Sequence, residues 1–258
     1  MKTIDCLSPG CMILAQEDHG RTEQGDAHCH PHGEIYFVQA GHLISASADA
    51  QWLIPAGQAY WLPPGTLHGG TLCSAHGIRV YVAAEIARDL CPASPTVFSM
   101  TPLLKALMER WRSEAALGLP DRMIDRHRIA VMSDEIASSM THPLILPMPS
   151  HAVMRAVMSV WAAACEEQLS LDELAERCCM ARRTFTRQVR IEPGLSPRAW
   201  MQSARILRGC ELMASGMPVT ETAYTLGYES PSSFFNLCRR MTGMSPTDLS
   251  RSVDRRVR

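Results

Sequence analysis

One local pattern occurs twice in the C-terminal part of this 258-residue chain, and that repeat narrows what this half can fold into more than any other feature. LSLDELAERCCMARRTFTRQV starts at Leu169 and MPVTETAYTLGYESPSSFFNLC at Met217. Each carries an alanine, a turn position four residues later and then an aromatic: Ala175, Cys179 and Phe185 in the first, Ala223, Gly227 and Phe234 in the second. The second unit has one more residue in its turn. In a helix-turn-helix the small residue lets the first helix pack closely on the second, and the residue four later must permit the turn. Gly227 suits that turn, Ser230 is a good N-cap and Pro231 fits a first helical position. In the first unit Cys179 stands where the glycine would be and Ala181 where the capping serine would be, so its helix start is less strongly specified.

The charge distribution separates this half from the rest. Residues 151–258 hold 15 arginines and no lysine against 11 acidic residues, a net of +4, whereas residues 1–150 carry a net of −5. Only the C-terminal half favours a polyanion. Between them THPLILPMPSH, residues 141–151, places three prolines within seven residues, which forbids a continuous helix and favours an extended connection. Before it, TPLLKALMERWRSEAA (101–116) and RMIDRHRIAVMSDEIASSM (122–140) repeat apolar residues at helical spacing. Such a helix pair either forms a pairing surface for a homodimer or covers a sheet. Upstream, EIYFVQAG, HLISASA, QWLIPAG, YWLPPG and IRVYVAAE are short, β-branched or aromatic, and separated by Gly or Pro, as in a small sandwich or barrel. The fold class expected is α+β.

HCHPHGEIYFVQAG, residues 28–41, carries the densest set of metal-ligating side chains. Alternation along a strand would turn His28, His30, His32 and Glu34 to one face, an arrangement suited to a metal and equally to a merely polar strand. About one strand pair later comes GQAYWLPPGTLH, residues 57–68. The two segments read H-x-H-x3-E-x6-G and G-x5-P-x-G-x2-H, and together they resemble both sequence motifs of the cupin family over residues 25–85. The resemblance implies an N-terminal β-barrel. In metal-binding cupins these positions hold one divalent transition metal, here through His28, His30, Glu34 and His68, with Zn, Ni, Fe or Mn as fitting ions. Sensory cupins also use the barrel for an organic effector, for which His32, Trp61, Arg79 and Tyr81 are the pocket residues expected.

The two repeats, the linking helix near residues 197–214 and the terminal GYESPSSFF...RRMTGMSP resemble the DNA-binding domain of the AraC/XylS family of bacterial transcription regulators, over residues 152–252. The family places both recognition helices in successive major grooves. On this sequence that implies Arg183, Thr186 and Arg187 from the first helix and Ser232, Ser233 and Asn236 from the second at bases or phosphates. Arg182, Arg190, Arg239 and Arg240 are the better phosphate contacts. Cys238 departs from the family, which usually has a large aromatic there.

The organisation that follows is a cupin-like sensor over residues 1–100, a helical pairing or linking segment over 101–142, a Pro-rich linker over 143–150, an all-α double helix-turn-helix domain over 151–252 and a basic tail over 253–258. The function expected is a sequence-specific regulator, activator or repressor and not an enzyme, that binds a double-stranded operator in response to a metal or small molecule. It would contact RNA polymerase if it activates. The rival classes are a metal-dependent cupin dioxygenase or isomerase, and a metal-binding protein. Against a cupin enzyme stands the complete second domain. With 46% hydrophobic and 20% charged residues the chain reads as globular,. No apolar run reaches the roughly 20 residues of a membrane span, and the N-terminus makes a poor signal peptide. The ten cysteines are scattered without a C-x-x-C pair, fitting a reducing cytoplasm and, for Cys178 and Cys179, a packing role,.

Overall fold

The structure is a computed structural model of the chain and describes residues 13–18, 23–47, 49–117, 124–139 and 144–251. Strands β1 (Ile13–Asp18), β2 (Glu23–His28), β3 (Gly33–Ser47), β4 (Ala50–Pro55), β5 (Gln58–Leu62) and β6 (His68–Val82) precede helix α1 (Ala84–Leu90) and strand β7 (Thr96–Ser99). Helices α2 (Pro102–Ala116) and α3 (Ile124–Ser138) and strand β8 (Leu144–Pro147) follow. The strands form one eight-stranded sheet in the order β1-β6-β3-β4-β8, with β2 paired to β6, and β5 paired to β3 and β7. The basic tail, the first twelve residues, Cys6 and Cys11 lie outside the described residues.

Alternation along the strands builds two different faces. On one, Ile35 and Phe37 of β3, their partners Trp61 and Ala59 of β5, and Ile78, Val80 and Val82 of β6 pack against Leu104, Met108 and Trp111 of α2 and Ile129, Met132 and Ile136 of α3. Asp125 joins the two helices, accepting from the Trp111 indole at 3.1 Å and from Arg128 at 2.9 Å, while Arg128 also reaches Glu114 at 2.8 Å. The helix pair therefore covers the sheet, with Leu103 and Val131 left exposed on its outer side. On the other face lie Glu34, Tyr36, Arg79 and Tyr81, each at most 7% exposed. A sheet buried on both faces, with polar residues on the uncovered one, must enclose that face itself, as a curled sheet does.

Three features differ from the sequence expectation. EIYFVQAG and HLISASA are one strand, because Gly41, at φ 74°, is absorbed as an irregularity inside β3 and does not end it,. The end of IRVYVAAE belongs to α1, whose first turn holds Glu85. The Pro-rich linker contains β8, which pairs antiparallel with β4 from Leu53 opposite Leu144 to Ala50 opposite Pro147. Pro147 is the last residue of this strand at the sheet's edge, a place where a sheet tolerates proline,.

Residues 44–53 and 144–251 form one compact unit and the remainder another. In the former, the Trp200 indole donates to the Pro147 carbonyl at 2.7 Å and the Met148 amide to the Asp49 carbonyl at 2.8 Å, so the linker is held by hydrogen bonds. The helices are α4 (Ala152–Ala163), α5 (Leu171–Arg177), α6 (Arg182–Ile191), α7 (Pro197–Ala214), α8 (Val219–Thr225), α9 (Pro231–Thr242) and α10 (Pro246–Arg251). Ser170 and Glu173 cap α5 reciprocally,. The two turns close identically: the Met180 amide donates to Ala175 and the Tyr228 amide to Ala223, both at 3.0 Å. Gly227 sits at φ 82° and Cys179 at φ 55°, so the cysteine takes the left-handed conformation that its repeat partner takes as glycine. Ala181 supplies no side-chain cap to α6, whereas the Ser230 hydroxyl accepts from the Ser233 amide at 3.3 Å at the start of α9. Phe185 and Phe234 are fully buried. Gly209 on α7 makes room for the second of them, since an added Cβ would lie 2.8 Å from the Phe234 ring.

A non-glycine residue in the left-handed region costs roughly 1–2 kcal/mol, partly offset by the entropy that glycine loses on folding. Cys179→Gly is expected to stabilise the C-terminal unit by about 0.5–1 kcal/mol in chemical denaturation. A stability equal to or below that of the parent would contradict the turn assigned here.

Candidate functional site

On the enclosed face, the end of β2, the β2–β3 connection and the starts of β3 and β6 bring four of the expected ligands together. His28 and His68 are direct partners across β2 and β6, their rings 4.5 Å apart. One ring nitrogen from each of His28, His30 and His68 lies within 4.8 Å of the others. Each histidine is oriented through its other nitrogen: Nδ1 of His28 donates to the Asp26 carbonyl at 2.9 Å, Nδ1 of His30 to that of His32 at 2.8 Å, and Nδ1 of His68 to that of Thr66 at 2.8 Å. A carbonyl can only accept, so all three rings carry the proton on Nδ1.

Glu34 closes the cluster. Its Oε2 lies 2.9 Å from Nε2 of His30 and 3.8 Å from Nε2 of His68, and its Oε1 lies 3.1 Å from Nε of Arg79. Burial resists ionisation of this carboxyl, but Arg79, the hydrogen bond from His30 and the charge of His68 outweigh it and bring its pKa down to about 2. Burial lowers the pKa of His68, against the opposing pull of its Thr66 contact and Glu34. His32 stacks on His30 at 4.4 Å, meets the edge of Tyr81 at 4.9 Å and has its pKa lowered by burial and by His30. The His32 Nε2 atom is buried without a hydrogen-bond partner. The Arg79 guanidinium lies 5.1 Å over the ring of Tyr36, a wall residue not anticipated although its two-residue spacing from Glu34 marks the same face,.

Trp61 does not join this group, which corrects its expected place in the pocket. Its register opposite Ile35 turns it to the helix-covered face, where its indole donates to the Pro92 carbonyl at 2.7 Å. Because the Glu34 pKa is depressed from the ordinary 4.5 to about 2, its ionisation contributes stability that is complete above 4.5 and lost as pH falls toward 2,. Acid titration of Glu34→Gln is expected to lack that component, and an unchanged acid limb would refute the assigned pairing.

In the helical unit the expected DNA residues lie on the outer sides of α6 and α9. Arg183, Arg187 and Arg190 on α6 and Ser232, Ser233, Asn236, Arg239 and Arg240 on α9 are exposed, and Thr186 is half-buried. The inner sides are Phe185 and Val189, and Phe234, Leu237 and Cys238. Cys238 fills its position fully buried, and burial raises its thiol pKa to about 12. Arg182 is tied to Asp172 at 2.8 Å, whereas the other arginines of α6 and α9 make no ion pair among the described residues.

Comparison with known proteins agrees with both halves. Residues 10–94 match the family described as AraC-like ligand binding domain, and residues 174–252 match that described as Helix-turn-helix domain. The HTH-type transcriptional regulator NimR of Escherichia coli is 25% identical over 230 residues, 88% of this chain and 84% of that protein. The HTH-type transcriptional regulator RipA of Corynebacterium glutamicum is 31% identical over 101 residues, 39% of this chain and 30% of that protein. Among solved structures, ToxT from Vibrio cholerae aligns over 96% of this chain and all of its own at 12% identity and a TM-score of 0.42. The DNA-binding domain of the global transcriptional factor AdpA, in complex with a target DNA, aligns over 37% of this chain and 86% of its own at 32% identity and a TM-score of 0.35. This chain belongs to the AraC family of DNA-binding transcription regulators, with an N-terminal ligand-binding domain. No helix among the described residues is long and apolar enough to cross a membrane.

Asn236→Ala is expected to relax base preference at one operator position at a cost of about 1–3 kcal/mol, while Arg240→Ala weakens binding to all sequences about equally. Binding measured against single-base variants of one duplex separates these outcomes, and identical profiles for both substitutions would displace α9 from its assigned role.

Proposed function

We propose that this regulator responds to a divalent transition metal held by His28, His30 and His68 with Glu34 as the fourth donor. One observation carries the reading. With Nδ1 of His30 turned to a carbonyl, its Nε2 points at a carboxylate oxygen 2.9 Å away. That contact is bridged by a proton in a hydrogen bond, and a divalent cation can take the proton's place between the same two atoms. Fixing the tautomer by a backbone carbonyl on the far nitrogen is also how metal-ligating histidines are oriented. The residues fit Zn, Ni, Fe or Mn, and the ion would supply a charge that draws three chain segments together. Arg79 would then hold Glu34 in place from outside the ligand set.

The second reading is a small organic effector. It is favoured by the partnerless Nε2 of His32 beside Tyr81, which an acceptor or donor on a ligand would satisfy. In either case the output is altered affinity for an operator, or contact with RNA polymerase if the regulator activates. The exposed Leu103 and Val131 on the covering helices are the surface that a homodimer would use. The chain acts in this reading as a regulator and not an enzyme, so deletion of residues 151–258 abolishes its activity and leaves no turnover behind.

His30→Ala or His68→Ala is expected to remove about one equivalent of bound metal by elemental analysis of untagged protein, and His32→Ala to retain it. Metal affinity should fall on acidification, where protons compete for the imidazoles. Failure of the parent to bind Zn, Ni, Mn or Fe(II) at micromolar concentration would remove the metal and leave the organic effector.

A further inference from the structure

A cleft of about 410 Å³ opens in the helical unit between α7 and the α8–α9 turn. Arg198, Gln202 and Arg205 of α7 form one wall, Tyr228 and Glu229 of the turn the other, and Ser233 of α9 borders it. None of the α7 residues was expected at a functional site.

The polar side chains lining this cleft are chiefly donors, with Glu229 the one carboxylate among its lining. Beneath its surface, Nε of Arg205 and the hydroxyl of Tyr228 are buried and have no hydrogen-bond partner among the described residues. The Arg205 guanidinium is held 5.6 Å over the ring of Trp161, and the Tyr228 ring lies 5.4 Å from that of Phe234, so neither group is placed by a polar contact. Arg198 is exposed and makes no ion pair among the described residues. By contrast Arg208, further along the same helix, is bound to Glu166 at 2.7 Å and Glu211 at 3.2 Å. Burial raises the Tyr228 pKa to about 12, and the hydroxyl therefore keeps its proton. Two guanidinium groups face a single carboxylate, Glu229. The fitting occupant is an anion rich in oxygen acceptors.

We infer that this cleft receives the sugar-phosphate backbone of the DNA bound by α9, with Arg198 and Gln202 as phosphate contacts contributed by the linking helix. The position decides for DNA over a free anion. Ser233 belongs both to the cleft and to the exposed side of α9, one turn from Asn236, so a strand leaving the groove read by Asn236 passes the cleft,. A cleft of this size accepts a nucleotide unit, and contacts to backbone oxygens from Arg, Gln, Ser and Tyr are the usual means by which a protein fixes its register on a duplex. The inference rests on the DNA-binding assignment.

The test uses the full-length chain and a duplex that it selects from a randomised pool. Arg198→Ala, an exposed substitution, should weaken binding about five- to tenfold and reduce the slope of log affinity against log salt by about 0.9, equally for single-base variants of the duplex. Arg198→Lys should restore the slope. Gln202→Glu, which sets a carboxylate against the backbone, should weaken binding further while leaving the melting temperature unchanged. An unchanged salt slope for Arg198→Ala overturns the inference, as does a loss confined to one base position. Titration of the free chain with inorganic phosphate and with a mononucleotide covers the other source: Arg198-dependent binding of either, with the DNA salt slope unaltered, would make the cleft a small-anion site. Selection of no duplex by the parent would instead overturn the DNA-binding reading itself.

Discussion

A carboxylate that is 7% exposed cannot remain ionised without partners, and the inner face of the sheet domain is built around meeting that requirement for Glu34,. Arg79 neutralises one oxygen and His30 occupies the other, with His68 behind it. Each partner is itself fixed: Arg79 over the Tyr36 ring, His30 by its own connection, His68 by the Thr66 carbonyl. Replacing one member leaves another buried and uncompensated, which costs about 3–5 kcal/mol for a pair of this kind. The network is therefore a poor device for stability alone, since apolar residues of similar volume would hold a curled sheet as well.

The helical unit meets its constraints by duplication. Two turns of the same hydrogen-bond pattern position two helices, each anchored by one buried phenylalanine, and α7 joins them. The first copy keeps the geometry with less favourable residues, Cys179 in the left-handed region and Ala181 at an uncapped start. The second has Gly227, Ser230 and Pro231. The packing of the aromatic and the turn closure outweigh these local deficits, as tertiary context commonly outweighs propensity. Apart from Arg182, the exposed arginines of α6 and α9 have no acid partner among the described residues, and a phosphate can serve in place of a carboxylate,.

Much of this was legible because it rests on fixed periods. The H-x-H-x3-E spacing and the second motif indicated His28, His30, Glu34 and His68, and the structure brings them together. The repeat indicated both recognition helices, and the Phe185 and Phe234 positions set which sides would be exposed. What could not be read depended on pairing across the chain. Trp61 alternates with residues of either face until the register opposite Ile35 is known,. Gly41 resembles a turn glycine until both flanks are seen to share one strand. The prolines of the linker concealed β8 because an edge strand needs only half its amides. Arg182 and Arg187 look alike in sequence, and only the nearby Asp172 distinguishes them. The α7 cleft has no linear signature, since its lining comes from four elements.

A ligand moves a regulator only by binding one conformation more tightly than another, and taking an equilibrium from 1:99 to 99:1 requires a preference of about ten-thousand-fold. A metal can meet that requirement here only if one conformation lacks a ligand. In the metal reading proposed above, His28 would be that donor. It is the most exposed of the three, and it follows a register shift in β2 between Gly25 and His28, where the pairing with β6 is already irregular. His30 and His68 are by contrast buried and oriented by the carbonyls of His32 and Thr66. An ion that recruits His28 would thus fix the β2 register against β6 and tie it to the start of β3. Strand β3 runs unbroken to Ser47, and the strand after it, β4, pairs with β8 immediately ahead of α4. The β2 edge, where the pairing with β6 is irregular, is the part of this cluster least fixed by strand register.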